Sequence, residues 1–192
     1  MGATPLPTLA TAADLANLPE EAAAEVVGGE VVYKASPSFS HGYVQGQLGG
    51  FLRFGAGGRG SRGWFLVTEP DIELEPHEVY RPDLAGWRRE RVPEIPKEVP
   101  VRLRPDWVCE VLSPSTAGRD LSTKLRSYHR NEIPHYWVVD PEHQTLVIYR
   151  RQADTYAIAR SAGITETIQA EPFDVELPIA LLFADLEASE DE

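Results

Sequence analysis

The chain has 192 residues, 42% of them hydrophobic and including six Phe, seven Tyr and four Trp, enough apolar surface to bury a sizeable core and to exclude disorder outside the ends. Its formal net charge of −12 excludes a general-purpose nucleic-acid coat, which gains affinity from a basic surface. A single cysteine, Cys109, excludes an intrachain disulfide, and no apolar run reaches the roughly 18 residues of a membrane span.

The first residues lack the basic start and apolar stretch of a secretory signal, so a cytoplasmic protein is expected. No linker divides the chain, which reads as one domain over residues 1–186 followed by an acidic tail from Glu187 to Glu192. Thr11 N-caps a short helix beginning Ala12-Ala13-Asp14-Leu15, and Pro19-Glu20-Glu21 opens another turn. Between Glu25 and Val32, two β-branched runs flank Gly28-Gly29, the composition of a hairpin. From Ser38 to about Phe54, Val44, Leu48, Phe51 and Leu52 recur at helical spacing, and the Gly-rich stretch from Gly55 to Gly63 ends that helix.

Strands follow at Trp64 to Thr68, Asp71 to Glu75 and Val79 to Trp87, with Pro82 marking an edge or bulge in the last. Arg88 to Pro105, with its four prolines at 93, 96, 100 and 105, reads as a surface excursion. Asp106 to Leu112 is β-rich and mostly apolar, as a central strand covered on both faces requires, and Cys109 fits there as a small buried hydrophobe. Ser113-Pro114-Ser115-Thr116 turns the chain into a helix from about Arg119 to Arg130, with Leu121 and Leu125 as its inward stripe. Pro134 stops it, and His135 to Asp140 is a second buried strand, so strand, helix and strand succeed one another as in a parallel βαβ crossover. Thr145 to Arg150 and Thr155 to Ala159 continue as a meander, and Leu177 to Leu186 reads as a closing helix.

Strand alternation puts Val108, Glu110 and Leu112 on one face, so Glu110 shares its face with apolar neighbours. A lone carboxylate there must be protonated, paired with a base or bound to a cation. As an isolated residue Glu110 suits a structural ion pair equally well. Asp83 follows an apolar strand, and beside Glu110 it calls for a metal between like charges, although Pro82-Asp83 alone is an ordinary turn. Asp120, Lys124 and Tyr128 fall at four-residue intervals, so Lys124 either offers its ammonium over the sheet or makes an exposed pair with Asp120 worth about half a kcal/mol. His41 is a candidate to polarise a water or contact phosphate, and Glu25 or Glu30 to bring a further acid; a satisfied histidine and a solvent-facing acid are the plain alternatives. Arginines group at Arg53, Arg59 and Arg62, at Arg88, Arg89 and Arg91, and at Arg102 and Arg104, which could grip phosphates locally or serve as solubilising loops.

The run Glu110-Val111-Leu112-Ser113-Pro114-Ser115-Thr116, then Asp120, Lys124, Tyr128, Ile133-Pro134 and Tyr136-Trp137-Val138-Val139-Asp140-Pro141, preceded by Glu25, Gly29-Glu30, His41 and Arg81-Pro82-Asp83, resembles the Uma2 family of bacterial restriction-endonuclease-like proteins. More distantly it resembles the PD-(D/E)XK nucleases. The resemblance implies an α/β restriction-endonuclease-like domain, a mixed β-sheet flanked by helices, and a metal-dependent endonuclease hydrolysing DNA phosphodiester bonds with Mg2+ or Mn2+, acting as a homodimer. It implies Asp83 and Glu110 as metal ligands with the Val111 carbonyl, Lys124 as the catalytic lysine, and His41 and Glu25 as accessory members. The superfamily's lysine stands two residues after the acid, where this chain has Leu112. The alternative reading is a nuclease fold kept as a binding or assembly module with little turnover. Glu132 stands where the family closes the helix with glycine, so that helix end is expected to be built differently.

Overall fold

The computed structural model describes residues 8–19, 22–55, 63–114, 116–184 and 186. Glu20-Glu21, most of the Gly-rich stretch with Arg59 and Arg62, Ser115 and the acidic tail lie outside the described residues. In chain order the elements are α1 (Ala12–Ala16), β1 (Ala24–Val27), β2 (Glu30–Tyr33), α2 (Phe39–Phe54), β3 (Trp64–Thr68), β4 (Ile72–Glu75), β5 (Glu78–Tyr80), β6 (Leu84–Arg88) and β7 (Trp107–Val111). Then come α3 (Ala117–Arg119), a π-helical turn (Asp120–Lys124), α4 (Leu125–Arg130), β8 (His135–Asp140), β9 (Thr145–Arg151), β10 (Tyr156–Gly163), β11 (Thr167–Ala170), β12 (Val175–Pro178) and a 3-10 turn (Ile179–Leu182).

The chain forms two compact units, one drawn from residues 1–35, 71–81 and 96–103, the other from 36–70, 82–95 and 104–192. The smaller holds a four-stranded sheet in the order β2-β1-β5-β4. Its hairpin turns at Gly28 and Gly29, with φ of 58° and 82°, the two left-handed positions that a tight two-residue turn demands and glycine supplies without strain. At α1 the Asp14 carboxylate accepts the Thr11 N–H at 2.7 Å and its hydroxyl at 3.0 Å, which holds the Asp14 carboxyl below the usual carboxylate value.

The larger unit is built on a six-stranded sheet in the order β10-β9-β8-β7-β6-β3. Only the β7–β8 pair within it is parallel, because those strands alone are joined by a helical crossover. All five residues of β7 are buried. Trp107, Cys109 and Val111 join Val44, Leu48, Phe51 and Leu52 of α2 in the main core, which leaves Val108 and Glu110 to the opposite face, as alternation requires.

Three expectations are corrected. The strand expected over Val79 to Trp87 is two strands, β5 and β6, in different sheets, because Pro82 has no N–H for a ladder and the chain leaves one sheet before joining the other. The closing helix expected over Leu177 to Leu186 is reduced to the 3-10 turn; Leu177 belongs to β12, paired with β11. That unforeseen hairpin inserts Phe173 among tryptophans, its ring 4.9 Å from Trp107, 5.5 Å from Trp137 and 4.7 Å from Trp64 between centroids, so its packing comes from aromatic contact rather than a helical stripe. In the crossover, Leu121 is 46% exposed and Leu125 half-buried, while Asp120, Lys124, Ser127 and Tyr128 are buried. The inward face is polar because Glu110 lies beneath it.

The crossover closes with Glu132 left-handed at φ 57°, and the Ile133 N–H reaches back to the Tyr128 carbonyl at 3.0 Å. The glycine-type ending is therefore kept at a glutamate, at a strain of about 1 kcal/mol. His135 opens β8, and burial lowers its imidazole pKa below the ordinary 6.5, with Glu171 acting the other way. Above that pH both folded and unfolded forms are neutral; as pH falls below it the unfolded chain takes up the proton first, so stability drops until pH passes the lowered folded value. Urea unfolding of the wild type should show this loss between pH 7.5 and 5.5, and His135→Phe should lose less over the same interval.

Candidate acidic site

The antiparallel pairing of β6 with β7 sets Leu84 opposite Cys109, Ala85 opposite Val108 and Gly86 opposite Trp107. One further step of that register puts Asp83 opposite Glu110, the spacing at which directly paired residues lie about 4.5–5.5 Å apart. Asp83 Oδ2 accepts the backbone N–H of Val111 at 2.7 Å, fixing the carboxylate at the C-terminal end of β7. Both acids are almost wholly buried.

Lys124 comes down from the crossover and donates to Glu110 Oε1 at 2.9 Å, with Asp120 Oδ1 at 3.4 Å. Its side chain is 2% exposed, so the exposed Asp120 pair envisaged from spacing is replaced by a buried three-way contact. The Tyr128 hydroxyl donates to the same Oε1 at 2.7 Å, and the Tyr136 hydroxyl donates to the Asp120 carbonyl at 3.0 Å. The four-residue stripe Asp120, Lys124, Tyr128 is thus the face that meets the sheet. The intervening π-helical turn widens the helix at that stretch, a device found most often where side chains must be re-aimed at a site.

From α2, Ser38 caps the helix by accepting the His41 N–H at 3.2 Å, and the buried His41 ring brings Nε2 to 3.4 Å from Asp83 Oδ2. Gln45, one turn on, donates to the Asp83 carbonyl at 2.9 Å and to Glu69 Oε1 at 3.2 Å. The Glu69 N–H also donates to the Asp83 carbonyl, at 3.1 Å. Asp83 is therefore held at both its backbone and its carboxylate. Gln45 and Asp120 were not among the residues singled out as site members; a polar residue at a core-facing helical position, one turn after His41, is the signal that marks Gln45.

Glu25 belongs to the smaller unit. It is buried in β1, opposite Val32, and its Oε1 accepts the Arg81 N–H at 2.8 Å. Glu30 stands exposed at the start of β2.

The collected carboxylates set the local potential. Burial first, and then the charges of Asp83 and Glu110, push the Cys109 thiol well above its ordinary pKa, so it is an inert hydrophobe. Burial, then Glu110 and Asp120, do the same to Tyr136. Glu110 and Asp120 place two carboxylates around the Lys124 ammonium, and Asp83, opposite Glu110, adds a third buried acid to an oxygen-rich and anionic donor set. Among the described residues no group of three or more His, Cys, Asp and Glu side chains is arranged to hold an ion. Two carboxylates at neighbouring strand ends are, however, the protein share that magnesium takes while keeping several waters, so Asp83 and Glu110 fit such an ion.

A family model, Uma2, described as "Putative restriction endonuclease", matches residues 12–180. Among solved structures, the crystal structure of "a putative nuclease belonging to DUF820 from Anabaena variabilis ATCC 29413" is similar, with a TM-score of 0.71 and 22% identity over 91% of this chain and 98% of that one. That likeness shows the fold, mixed α/β and restriction-endonuclease-like. A search of curated proteins found no match. No described helix is long and apolar enough to cross a membrane.

Proposed function

Because the chain belongs to the Uma2 family, whose model covers residues 12–180, we propose that it is a metal-dependent endonuclease hydrolysing DNA phosphodiester bonds. The observation that supports this most is the buried contact of Lys124 with Glu110, the residue opposite Asp83 in the β6–β7 register. In this reading Asp83 and Glu110, with the Val111 carbonyl, hold Mg2+ or Mn2+. When bound, the ion lowers the pKa of a water and balances charge on the phosphate.

The chain's own groups do the rest. Lys124 fixes the Glu110 carboxylate and orients the attacking water, and its ammonium opposes the negative charge that grows on the phosphoryl oxygens. Tyr128 holds the same carboxylate oxygen, so Glu110 keeps one orientation. His41 and Gln45 steady Asp83 from α2, and the buried surroundings strengthen each of these interactions by keeping bulk water away. Leu112 leaves vacant of charge the slot used by the wider superfamily's lysine, and Lys124 fills the role from the crossover. Glu25 is proposed as an accessory acid, the whole of residues 1–186 as one functional domain, and a homodimer as the form that cuts both strands.

Supercoiled plasmid incubated with magnesium or manganese should be nicked by the wild type and left intact by Asp83→Ala. Equal nicking by the two would refute the assignment. Metal titration gives a readout independent of turnover: at about 100 times its dissociation constant, an ion that binds only the folded state adds about 2.7 kcal/mol, a rise of roughly 5–10 °C in melting temperature for a chain of this size. The same titration on Asp83→Ala should give no rise. A wild type that binds metal but leaves plasmid intact would favour the reading as a binding module, which the net charge of −12 also favours.

A further inference from the structure

Several arginines of the larger unit are spoken for. Arg91 pairs with Asp106 at 2.9 Å and Arg104 with Glu132 at 2.7 Å, and Arg150 with Glu171 at 3.3 Å. Three at one edge of the six-stranded sheet differ. Arg53, in the last turn of α2, donates Nη2 to the Leu66 carbonyl at 2.8 Å. Arg89, just past β6, donates Nε to the Trp64 carbonyl at 3.3 Å and lies over the Phe65 ring, 3.9 Å from its centroid. The Arg88 guanidinium stacks on Trp64 at 4.6 Å. Among the described residues none of the three guanidiniums pairs with a carboxylate. Each is held by a carbonyl or an aromatic face, contacts that fix its position and leave its charge uncompensated.

Arg53 and Arg89 line one open groove of about 520 Å³ along β3, with Phe65, Val67 and Ile95. On a chain carrying −12 overall, a groove that gathers fixed arginines without counter-ions is complementary to a polyanion whose charges repeat. Guanidinium forks match the phosphodiester in particular, with two parallel N–H donors for two oxygens. The place is also suitable. β3 is two strands from β7 in the sheet order, about 10 Å at ordinary strand spacing, and the groove's midpoint at Leu66, paired with Gly86, lies three residues along from the Asp83 level, so it is roughly 14 Å from the acidic site. That distance spans about four base-pair steps at about 3.4 Å each.

We propose that the β3 groove, through Arg53 and Arg89 with Arg88 beside it, seats the phosphate backbone of duplex DNA a few steps from the bond addressed by Asp83 and Glu110. The proposal rests on the nuclease reading for its substrate, and it adds the surface by which an acidic protein holds that substrate. The edge carbonyls of β3, which would otherwise invite another strand, serve here as anchors for the two arginines.

The test is fluorescence anisotropy with a labelled 30-base-pair duplex of mixed sequence, in EDTA so that nothing is cut, over a series of NaCl concentrations. Arg53→Gln with Arg89→Gln should weaken binding about tenfold or more and lower the slope of log affinity against log salt by about two, since each phosphate contact contributes about 0.9. The arginines also anchor an edge strand, so Ile95→Glu provides a second route: it places a carboxylate in the groove at an exposed position and should weaken binding without touching either arginine. Unchanged affinity and salt slope in both variants, or no duplex binding by the wild type, would overturn the groove. Unchanged binding in the variants of a wild type that nicks plasmid would leave the cleavage reading standing. Loss of binding in the variants of a wild type that never nicks would keep the groove and remove the nuclease.

Discussion

Lys124→Met should lower stability to urea by about 3–5 kcal/mol, the penalty for removing one partner of a buried ion pair and leaving the other's charge uncompensated. The size follows from position: the Lys124 and Glu110 side chains are each 2% exposed, and the ammonium also faces Asp120. Methionine keeps most of the length and apolar volume, so the loss reports charge rather than a cavity. Combining it with Glu110→Gln should recover a large part of the loss, because the remaining amide no longer needs a cation, while Tyr128 can still donate to its oxygen. Additive losses in the double variant would mean that the two side chains do not act as a pair. The single and double variants should both fail to nick plasmid.

Asp83→Asn should leave stability nearly unchanged and reduce cleavage by at least about 10²-fold, the scale seen when one charge-stabilising group is taken from a preorganised site. Asparagine keeps an oxygen for the Val111 N–H and leaves the backbone contacts from Gln45 and Glu69 in place. What it removes is a negative charge, so the melting-temperature rise on adding manganese should disappear together with nicking. A variant that retains the rise places the ion elsewhere. A variant that unfolds instead shows that Asp83 is a structural group first. The contrast with Lys124→Met separates two roles that plasmid nicking alone would merge, since one change empties a charge pair and the other empties an ion's ligand.

The central strand could be read from sequence because burial on both faces leaves few places for a charge. Glu110 interrupted an apolar run, and β7 with its parallel neighbour β8 followed from a helix framed by two such runs. The α2 core face, Val44, Leu48, Phe51 and Leu52, was legible for the same reason. The crossover was misread because Leu121 and Leu125 offered a familiar apolar stripe, whereas the buried partners are held by hydrogen bonds to Glu110, a contact with no local period. The β11–β12 hairpin escaped because its four-residue strands are too short for alternation to rise above chance, and its anchor, Phe173, packs on rings distant in sequence. The bond from Gln45 to the Asp83 carbonyl joins residues 38 positions apart, and no spacing rule reaches across such a gap.

The π-helical turn at Asp120–Lys124 has a consequence for how this protein can change. An α-helix advances about 100° per residue, so inserting a single residue after Leu121 in that turn would rotate the segment before it relative to α4 by more than a quarter of a revolution. Asp120 would swing away from the sheet and its neighbour Leu121 toward the place it left. The crossover therefore carries two competing faces, one oily and one charged, and a one-codon indel is enough to exchange them. Point substitutions can tune the chemistry by degrees, whereas length changes in these five residues act as an on–off step, and the turn's length is the quantity to compare when this chain is set beside its relatives.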